Sequence, residues 1–415
     1  MHSLAPIVFA LVGVAALAAP ARAQFVTGDL YLADAWTNHI YRVEPGAWTV
    51  TTFADFVDGL DGPSALLLAR DRKLLCSNFV DSNVLEFDAA GNSAVRYDSG
   101  DGLVAPFGEN GLAYDAAGDL YVSDALAQTI WRFPAAGGAP TAFADAADGI
   151  VMPDGITFAP NGDLFVANRD GYNVLKIDPT GAASVFDPLP ANPFSIVSRG
   201  NGDLYVAVET TMHVYRYPGG DASKRKVLAA MTKNSGMPSM ALSLDGTKIY
   251  YTSNGTGNLW EIDADSGAKT EVLAPNSLYG AISIAVIPAL ASWTNYGAGV
   301  PGTHGVPFFT SQQLPILGTT ITLDLGNSYG QPTSGILVLG FPRASLHTGL
   351  GGDLLLIPVL LVPISFSFGA NSFTGTLPSD PALLGFALDL QAVEADPGAV
   401  KGVSFTQGLE LVLGF

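Results

Sequence analysis

The chain has 415 residues, of which 48% are hydrophobic and only 14% are charged, with 47 Gly and 27 Pro. This composition is typical of a folded, β-rich protein with many turns, and the low fraction of charged residues argues against disorder. The chain is long enough to form more than one hydrophobic core. The formal net charge of −19 argues against a nucleic acid as partner, because a phosphate-binding surface needs clustered Lys and Arg.

Residues 1–23 have the pattern of a secretory signal peptide. Residues 4–19 form an apolar run, and Ala21-Arg22-Ala23 has the small-x-small form that precedes a cleavage point. We therefore expect a mature chain that starts at Gln24, is secreted, periplasmic or cell-surface, and has no transmembrane span after cleavage. An uncleaved anchor is the alternative, because Met1-His2-Ser3 lacks Lys or Arg.

One unit recurs along residues 24–288, and its clearest copy is residues 154–178. In this copy, two short runs rich in β-formers flank the turn Pro160-Asn161-Gly162-Asp163, and a third alternating run follows at residues 174–177. Comparable second runs begin near Gly28, Arg72, Gly118, Gly202 and Thr247. A period of about 40 to 46 residues is that of a four-stranded propeller blade, so the repeats predict an all-β fold with a six-bladed β-propeller.

The first copy lacks an inner strand, since nothing suitable precedes Gly28. Residues 281–287 form a β-like run one period after the last inner strand, and no blade follows them. We expect this run to complete the first blade, which would close the ring and remove two open sheet edges. Cys76, the only cysteine, lies at a core-like position and is expected to pack rather than react.

The pattern changes after the repeats. Residues 289–300 interrupt the period and are predicted to be a linker. In residues 301–415, short alternating runs between Gly-rich turns, with no helical signal, predict a C-terminal β-sandwich, jelly-roll-like. The apolar run at 354–366 is too short for a membrane span and contains Pro358 and Pro363. We expect the whole chain to be a monomer.

Two sets of loops should gather on one face of the propeller, called the loop face here: the loops that precede the inner strands and those that join the second and third strands. The first set is acidic and includes Asp98 and Asp101. Its carboxylates could attract a divalent cation or a basic partner, or could simply form turns with Gly. The second set carries Trp36, Phe79 and Tyr172, which could stack on a sugar or peptide or pack against a neighbouring blade.

The residue at the start of each inner strand should face the central channel. Aligning the repeats gives five such positions: Ser64, Asn110, Asp154, Phe194 and Ser239. Asn and Asp at these positions could also hydrogen-bond the backbone where a strand begins.

The repeats resemble NHL-type repeats and, more loosely, the calcium-dependent lactonases of the SMP-30/gluconolactonase group. Asn110-Gly111 and Pro153-Asp154-Gly155 are similar to strand starts of that group, which holds one divalent cation on its axis. The resemblance implies Ca²⁺ or another divalent cation as cofactor, Asn110 and Asp154 as its ligands, and Asp154 as catalytic base. The chain departs from the group at Ser239, where a Glu is expected, and at Ser64, where an Asn is expected. Residues 301–415 are similar only to uncharacterised β-rich modules at the ends of secreted bacterial proteins.

Two functions remain open at this point. The first is a secreted, non-catalytic scaffold that binds a protein, glycan or small ligand on the acidic loop face. The second is a divalent-cation-dependent, lactonase-like hydrolase with its site on the propeller axis. The missing Glu favours the binding protein, since a single carboxylate and amide make a thin cage for a cation that takes six or more oxygens.

Overall fold

The computed structural model describes residues 25–101, 103, 109–231, 236–278, 280–378 and 383–414, apart from the side chains of Ser99, Glu109 and Asn110. The predicted signal peptide lies outside the described residues. The described part of the chain has no α-helix and five short 3-10 turns: Phe56–Asp58, Ser99–Asp101, Ala146–Asp148, Pro218–Gly220 and Ala222–Lys224. None of these helical segments has the length and apolarity needed to cross a membrane.

Each sequence repeat forms antiparallel strands of one four-stranded sheet. The first repeat gives β1 (Leu30–Asp34), β2 (His39–Glu44) and β3 (Thr49–Ala54), and the second gives β4 (Pro63–Leu68), β5 (Leu74–Asn78), β6 (Asn83–Phe87) and β7 (Ser93–Tyr97). The third and fourth give β8 (Glu109–Tyr114), β9 (Leu120–Asp124), β10 (Thr129–Phe133), β11 (Thr141–Ala144), β12 (Pro153–Phe158), β13 (Leu164–Asn168), β14 (Asn173–Ile177) and β15 (Ala183–Pro188). The fifth and sixth give β16 (Pro193–Ser198), β17 (Leu204–Val208), β18 (His213–Tyr217), β19 (Lys226–Ala230), β20 (Pro238–Leu242), β21 (Lys248–Ser253), β22 (Leu259–Asp263) and β23 (Lys269–Leu273).

The ring closes as predicted, through β24 (Ala281–Val286). This strand pairs with β1, with Ile284 opposite Leu32, and becomes the inner strand of the first blade. The inner strands then contact one another in cyclic order. The chain therefore contains a six-bladed β-propeller in which the first blade is built from both ends of the repeat region.

The propeller is held by an apolar cluster at each interface between neighbouring blades. The second strands of the blades supply much of these clusters. Strands β5, β9, β13 and β17 are each buried at every residue. Cys76 is fully buried in one cluster, and burial raises the pKa of its thiol. It packs, as predicted, and stays protonated.

The C-terminal part contains two sheets. Its strands are β25 (Ser292–Tyr296), β26 (Phe309–Ser311), β27 (Thr320–Leu325), β28 (Thr333–His347), β29 (Asp353–Phe366), β30 (Asn371–Thr376), β31 (Ala387–Ala395), β32 (Val403–Phe405) and β33 (Gly408–Val412). One sheet has the order β25-β33-β31-β28-β29, with β32 beside β31, and the other has the order β26-β27-β30. Both contribute to one buried cluster that includes Phe309, Leu325, Phe366 and Leu409. The predicted jelly-roll-like sandwich is not confirmed by this arrangement.

The prediction of a linker at 289–300 is corrected at Ser292–Tyr296. These residues form β25 and pair along their length with β33, near the end of the chain. The break in the repeat was real, but the partner that makes this short run a strand is more than a hundred residues away, so the local sequence gave no sign of it.

Candidate functional site

The predicted channel positions share an unusual backbone feature. In five blades the register between the inner and second strands shifts at this position, so one residue bulges out of the ladder: Ser64, Asn110, Asp154, Phe194 and Ile282. A β-bulge re-aims the side chain it displaces. Ser239 differs, since it pairs in register with Thr252. Ile282 is the sixth ring position and was not aligned from the sequence.

The inner strands approach one another closely around Asp154. A Cβ atom on Gly111 would lie 2.6 Å from the Asp154 carbonyl oxygen, and one on Gly155 would lie 2.9 Å from the Phe194 carbonyl oxygen. The Ser123 hydroxyl donates to the same Asp154 carbonyl at 2.6 Å. The two glycines are therefore needed for strand packing, which accounts for the Asn-Gly and Asp-Gly pairs independently of any cation.

Asp154 is the buried centre of this region. Its exposed fraction is 1%, and neither of its carboxylate oxygens has a hydrogen-bond partner among the described residues. The nearest opposite charge is Arg169, whose Nε lies 3.8 Å from Asp154 Oδ2. Burial raises the pKa of Asp154 well above its ordinary value, and the Arg169 guanidinium acts in the opposite direction.

Arg169 directly follows β13 and joins Asp154 to the next blade. Its Nη2 lies 3.6 Å from Glu209 Oε2, and its guanidinium lies 5.7 Å from the centre of the Phe194 ring. Its backbone is fixed as well, because its N–H donates to the Met152 carbonyl at 3.1 Å. Asp154, Arg169, Phe194 and Glu209 are called the axial site below. Arg169 and Glu209 were not predicted from the sequence.

The other predicted ring residues add little to this site. Ser64 is buried, and its hydroxyl lies 3.0 Å from that of Ser77. Ser239 is also buried. The side chain of Asn110 lies outside the described residues, so the predicted pairing of Asn110 with Asp154 stays a prediction.

The described residues of the axial site do not fit a divalent cation. Such an ion takes six or more oxygen ligands, whereas this site offers one buried carboxylate with a guanidinium beside it. The side chains of Phe194 and of the ring residue Ile282 supply no oxygen ligand. Across the described ranges, no group of three or more His, Cys, Asp or Glu side chains is placed to hold a metal.

The acidic loops are organised by their own carboxylates. In Asp55–Asp58 and Asp145–Asp148, each first Asp caps the turn and each second Asp accepts from the first one's backbone N–H, while Gly59 and Gly149 close the turn with φ of 90° and 88°. Asp98 and Asp101 repeat the pattern, because the Asp98 side chain accepts from Gly100 at 2.7 Å and Asp101 accepts from the Asp98 N–H at 3.1 Å. These contacts show that the acids form turns with Gly.

Hydrogen bonds join the two predicted loop sets. The Gly62 N–H donates to Asn38 Oδ1 at 2.8 Å, the Phe79 N–H donates to the Gly62 carbonyl at 2.9 Å, and the Val151 N–H donates to Asn168 Oδ1 at 2.6 Å. The two sets of loops therefore lie on one face, as expected.

The loop face exposes apolar side chains between these turns. Trp36 is 66% exposed and Tyr172 is 52% exposed, whereas Phe79 is only partly exposed. Other exposed apolar side chains on the same loops were not predicted: Phe56, Val57, Val80, Leu126 and Val151. They lie on loops of the first four blades and give this face a mixed acidic and apolar character.

The fold and this ring of bulged strand starts define the class of protein as a β-propeller, and comparison with known proteins agrees. Residues 107–210 match the sequence model described as the SMP-30/gluconolactonase/LRE-like region, which confirms the resemblance seen in the repeats. This segment contains Asp154, Arg169, Phe194 and Glu209. No curated protein sequence matches the chain.

Among solved structures, the chain is similar to several proteins at low identity. A chain from a nidogen/laminin complex is 17% identical, with 62% of this chain and 97% of that chain covered and a TM-score of 0.53. A streptogramin B lyase is 15% identical, covering 62% and 83%, with a TM-score of 0.47. A gluconolactonase from Xanthomonas campestris is 20% identical, covering 52% and 76%, with a TM-score of 0.43. The likeness to the nidogen/laminin chain supports the fold, and at such identities none of the three says anything about activity.

Proposed function

We propose that the chain is an exported, non-catalytic β-propeller that binds a partner on its loop face. The observation that carries this proposal is the Asp154–Arg169 pair at 3.8 Å. The guanidinium places a fixed positive charge beside the one buried ring carboxylate, so the charge that a bound cation would supply comes from the protein itself. Phe194 lies against the same guanidinium, which leaves the described axial site without the set of oxygen ligands that a cation-dependent hydrolase requires.

The chemistry of the loop face favours a protein segment with apolar and basic groups. Trp36 and Tyr172 are exposed aromatic side chains, which are the residue types that anchor protein interfaces. The surrounding carboxylates would attract Lys and Arg and would speed association in a salt-dependent way. A chain of the same fold occurs in a complex of two proteins, nidogen and laminin. A protein as the partner of this chain is consistent with that example. We include in the proposal export by residues 1–23 and a separate C-terminal domain that begins with β25 at Ser292 and serves for attachment or as a second binding module.

Selection of a peptide library on the full chain tests this function directly. We expect enriched peptides to combine basic and apolar residues and to bind with Kd of about 1 to 100 μM. A Trp36→Ser/Tyr172→Ser variant should lose at least about tenfold in affinity, or about 1.4 kcal/mol, because both anchors are removed. Binding should also weaken as salt rises, since the acidic face is exposed.

The matched control is Val185→Ser/Val227→Ser, which removes two exposed apolar side chains from outer strands of the fourth and fifth blades. It should leave peptide affinity unchanged. Peptides that bind wild type and the Trp36/Tyr172 variant equally would place binding elsewhere and would contradict the proposal.

A lactonase-like hydrolase is the second candidate, and one observation favours it. Asp154 is a fully buried carboxyl with both oxygens unpartnered in the described structure, inside the segment that matches the gluconolactonase family. This candidate predicts hydrolysis of gluconolactone that is lost in Asp154→Asn and in chelator. The binding proposal predicts a rate no higher than that of buffer for both proteins.

A further inference from the structure

The C-terminal part contains a long hairpin at a sheet edge. Its strands β28 and β29 have 15 and 14 residues. In the described part of the chain β29 pairs with β28 and with no other strand, so it is the edge of the six-stranded sheet. An edge strand presents backbone N–H and C=O groups that can pair with another strand.

This edge is apolar on both faces. Ile357, Val359, Leu360 and Leu361 are 46%, 65%, 53% and 56% exposed. Successive side chains of a strand point to opposite faces. Both faces of β29 therefore expose apolar side chains to water. Edge strands are usually protected by charged residues, but residues 354–378 contain no Asp, Glu, Lys, Arg or His. This segment has the character of an interface rather than of a free surface.

We propose that the β29 edge is a self-association surface on which two copies of this chain pair antiparallel about a two-fold axis. The two six-stranded sheets would then continue into one another, and the exposed apolar side chains of the two edge strands would pack side by side. A two-fold interface uses one patch twice, so the patch must complement itself. The proposal does not depend on the function proposed for the loop face and departs from the monomer expected from the sequence.

Three features favour a second copy over another occupant. Residues 357–364 read Ile-Pro-Val-Leu-Leu-Val-Pro-Ile, so an antiparallel copy sets apolar residues against apolar residues in any register along the run. The net charge is −19, and an uncharged segment is where two such chains can approach with the least like-charge repulsion. A stable interface uses about 20 to 30 residues a side, and the exposed residues of both hairpin strands extend the patch beyond the β29 run towards that size.

The prolines of β29 are compatible with this pairing. Pro358 and Pro363 lack an N–H and are tolerated on edge strands where that position faces away from the existing partner. They flank Val359–Val362, so they limit the length over which a second copy can form a regular ladder. We therefore expect a reversible dimer held mainly by side-chain contact, with a Kd of about 1 to 10 μM.

Sedimentation velocity on the full chain, from about 0.5 to about 100 μM, tests the proposal. Wild type should change from monomer to dimer across this range. Val359→Lys/Leu361→Lys should remain a monomer throughout, because charge on an edge strand opposes pairing, and Val359→Glu/Leu361→Glu should do the same. An equimolar mixture of the Lys and Glu variants should recover the dimer, since the introduced charges now attract.

Val185→Lys/Val227→Lys is the control, because it adds the same charges at equally exposed valines of the propeller. This control should dimerise like wild type, and circular dichroism should show that all variants are folded. Wild type that stays monomeric up to about 100 μM overturns the proposal. This is the result expected if another protein, or residues 1–24 of the same chain, cover the edge instead. A dimer that persists unchanged in the Lys variant overturns it as well, because the contact then lies elsewhere.

Discussion

We expect Arg169→Met to lower the free energy of unfolding by about 2 to 3 kcal/mol at pH 8. The substitution keeps an unbranched apolar stem but removes the positive charge closest to the buried carboxyl of Asp154. Removing one partner of a fully buried pair costs about 3 to 5 kcal/mol, and the smaller value here reflects the partial exposure of Arg169 and the 3.8 Å separation. Denaturant unfolding of the two proteins measures the difference.

The pH dependence of this effect identifies Asp154 as its source. The folded-state pKa of Asp154 is raised above its unfolded value, so the folded protein takes up a proton more readily as pH falls, and the cost of burying the charge disappears on the acid side. Loss of Arg169 raises that pKa further, because its effect is to lower it. The destabilisation by Arg169→Met should therefore be largest at pH 8 and shrink towards pH 5.

A double-mutant cycle separates this pairing from simple loss of packing. Asp154→Asn keeps the shape of the side chain and removes its charge, so adding Arg169→Met to the Asp154→Asn variant should cost less than about 1 kcal/mol. The remaining cost reflects the loss of the contact between Arg169 and Glu209, whose charged groups are 3.6 Å apart. Equal costs in both backgrounds, at both pH values, would show that the Arg169 charge does not compensate Asp154.

The second large effect concerns ring closure. We expect Ile284→Ala in β24 to destabilise the propeller by about 3 kcal/mol, in the range for truncating a buried Ile. Ile284 is 6% exposed and packs in the cluster between the sixth and first blades, together with Leu32 and Tyr250. It belongs to the strand that joins the two ends of the repeat region.

Ile196→Ala is the matched comparison, because Ile196 has the equivalent place on the inner strand of the fifth blade and is 4% exposed. The two variants should lose similar stability and unfold in a single transition, since a closed ring shares its interfaces. A cost for Ile284→Ala below about 0.5 kcal/mol, the level of surface substitutions, would mean that β24 is a loosely attached end.

The blades could be predicted because their signals are local. Each second strand is a short β-rich run after a Gly-containing turn, and the period of these runs gave both the number of blades and the closing segment at 281–287. The bulged ring positions Ser64, Asp154 and Phe194 followed from the same alignment. Their burial and partners did not, because these depend on residues supplied by neighbouring blades.

Arg169 illustrates what the sequence alone left out. It occupies the position after the second strand that Phe79 and Glu209 occupy in other blades, and a basic residue at that place in so acidic a chain was a usable signal. The acidic loops carried a signal too, since Asp-x-x-Asp-Gly at 55–59 and 145–149 is a capping pattern. β25 and the full length of β29 depend on pairing with distant strands, and the prolines of β29 made it look interrupted.

The central claim is that Arg169, and not a divalent cation, balances Asp154 in the axial site. A thermal melt of the full chain with Ca²⁺, Mn²⁺ or Zn²⁺ at about 1 mM, compared with chelator, tests it most directly, because a ligand that binds only the folded state raises Tm by mass action. We expect Tm of wild type and of Asp154→Asn to respond alike, with no shift that depends on Asp154. A cation-dependent rise of several degrees in wild type that is absent from Asp154→Asn would contradict the claim and would favour the hydrolase.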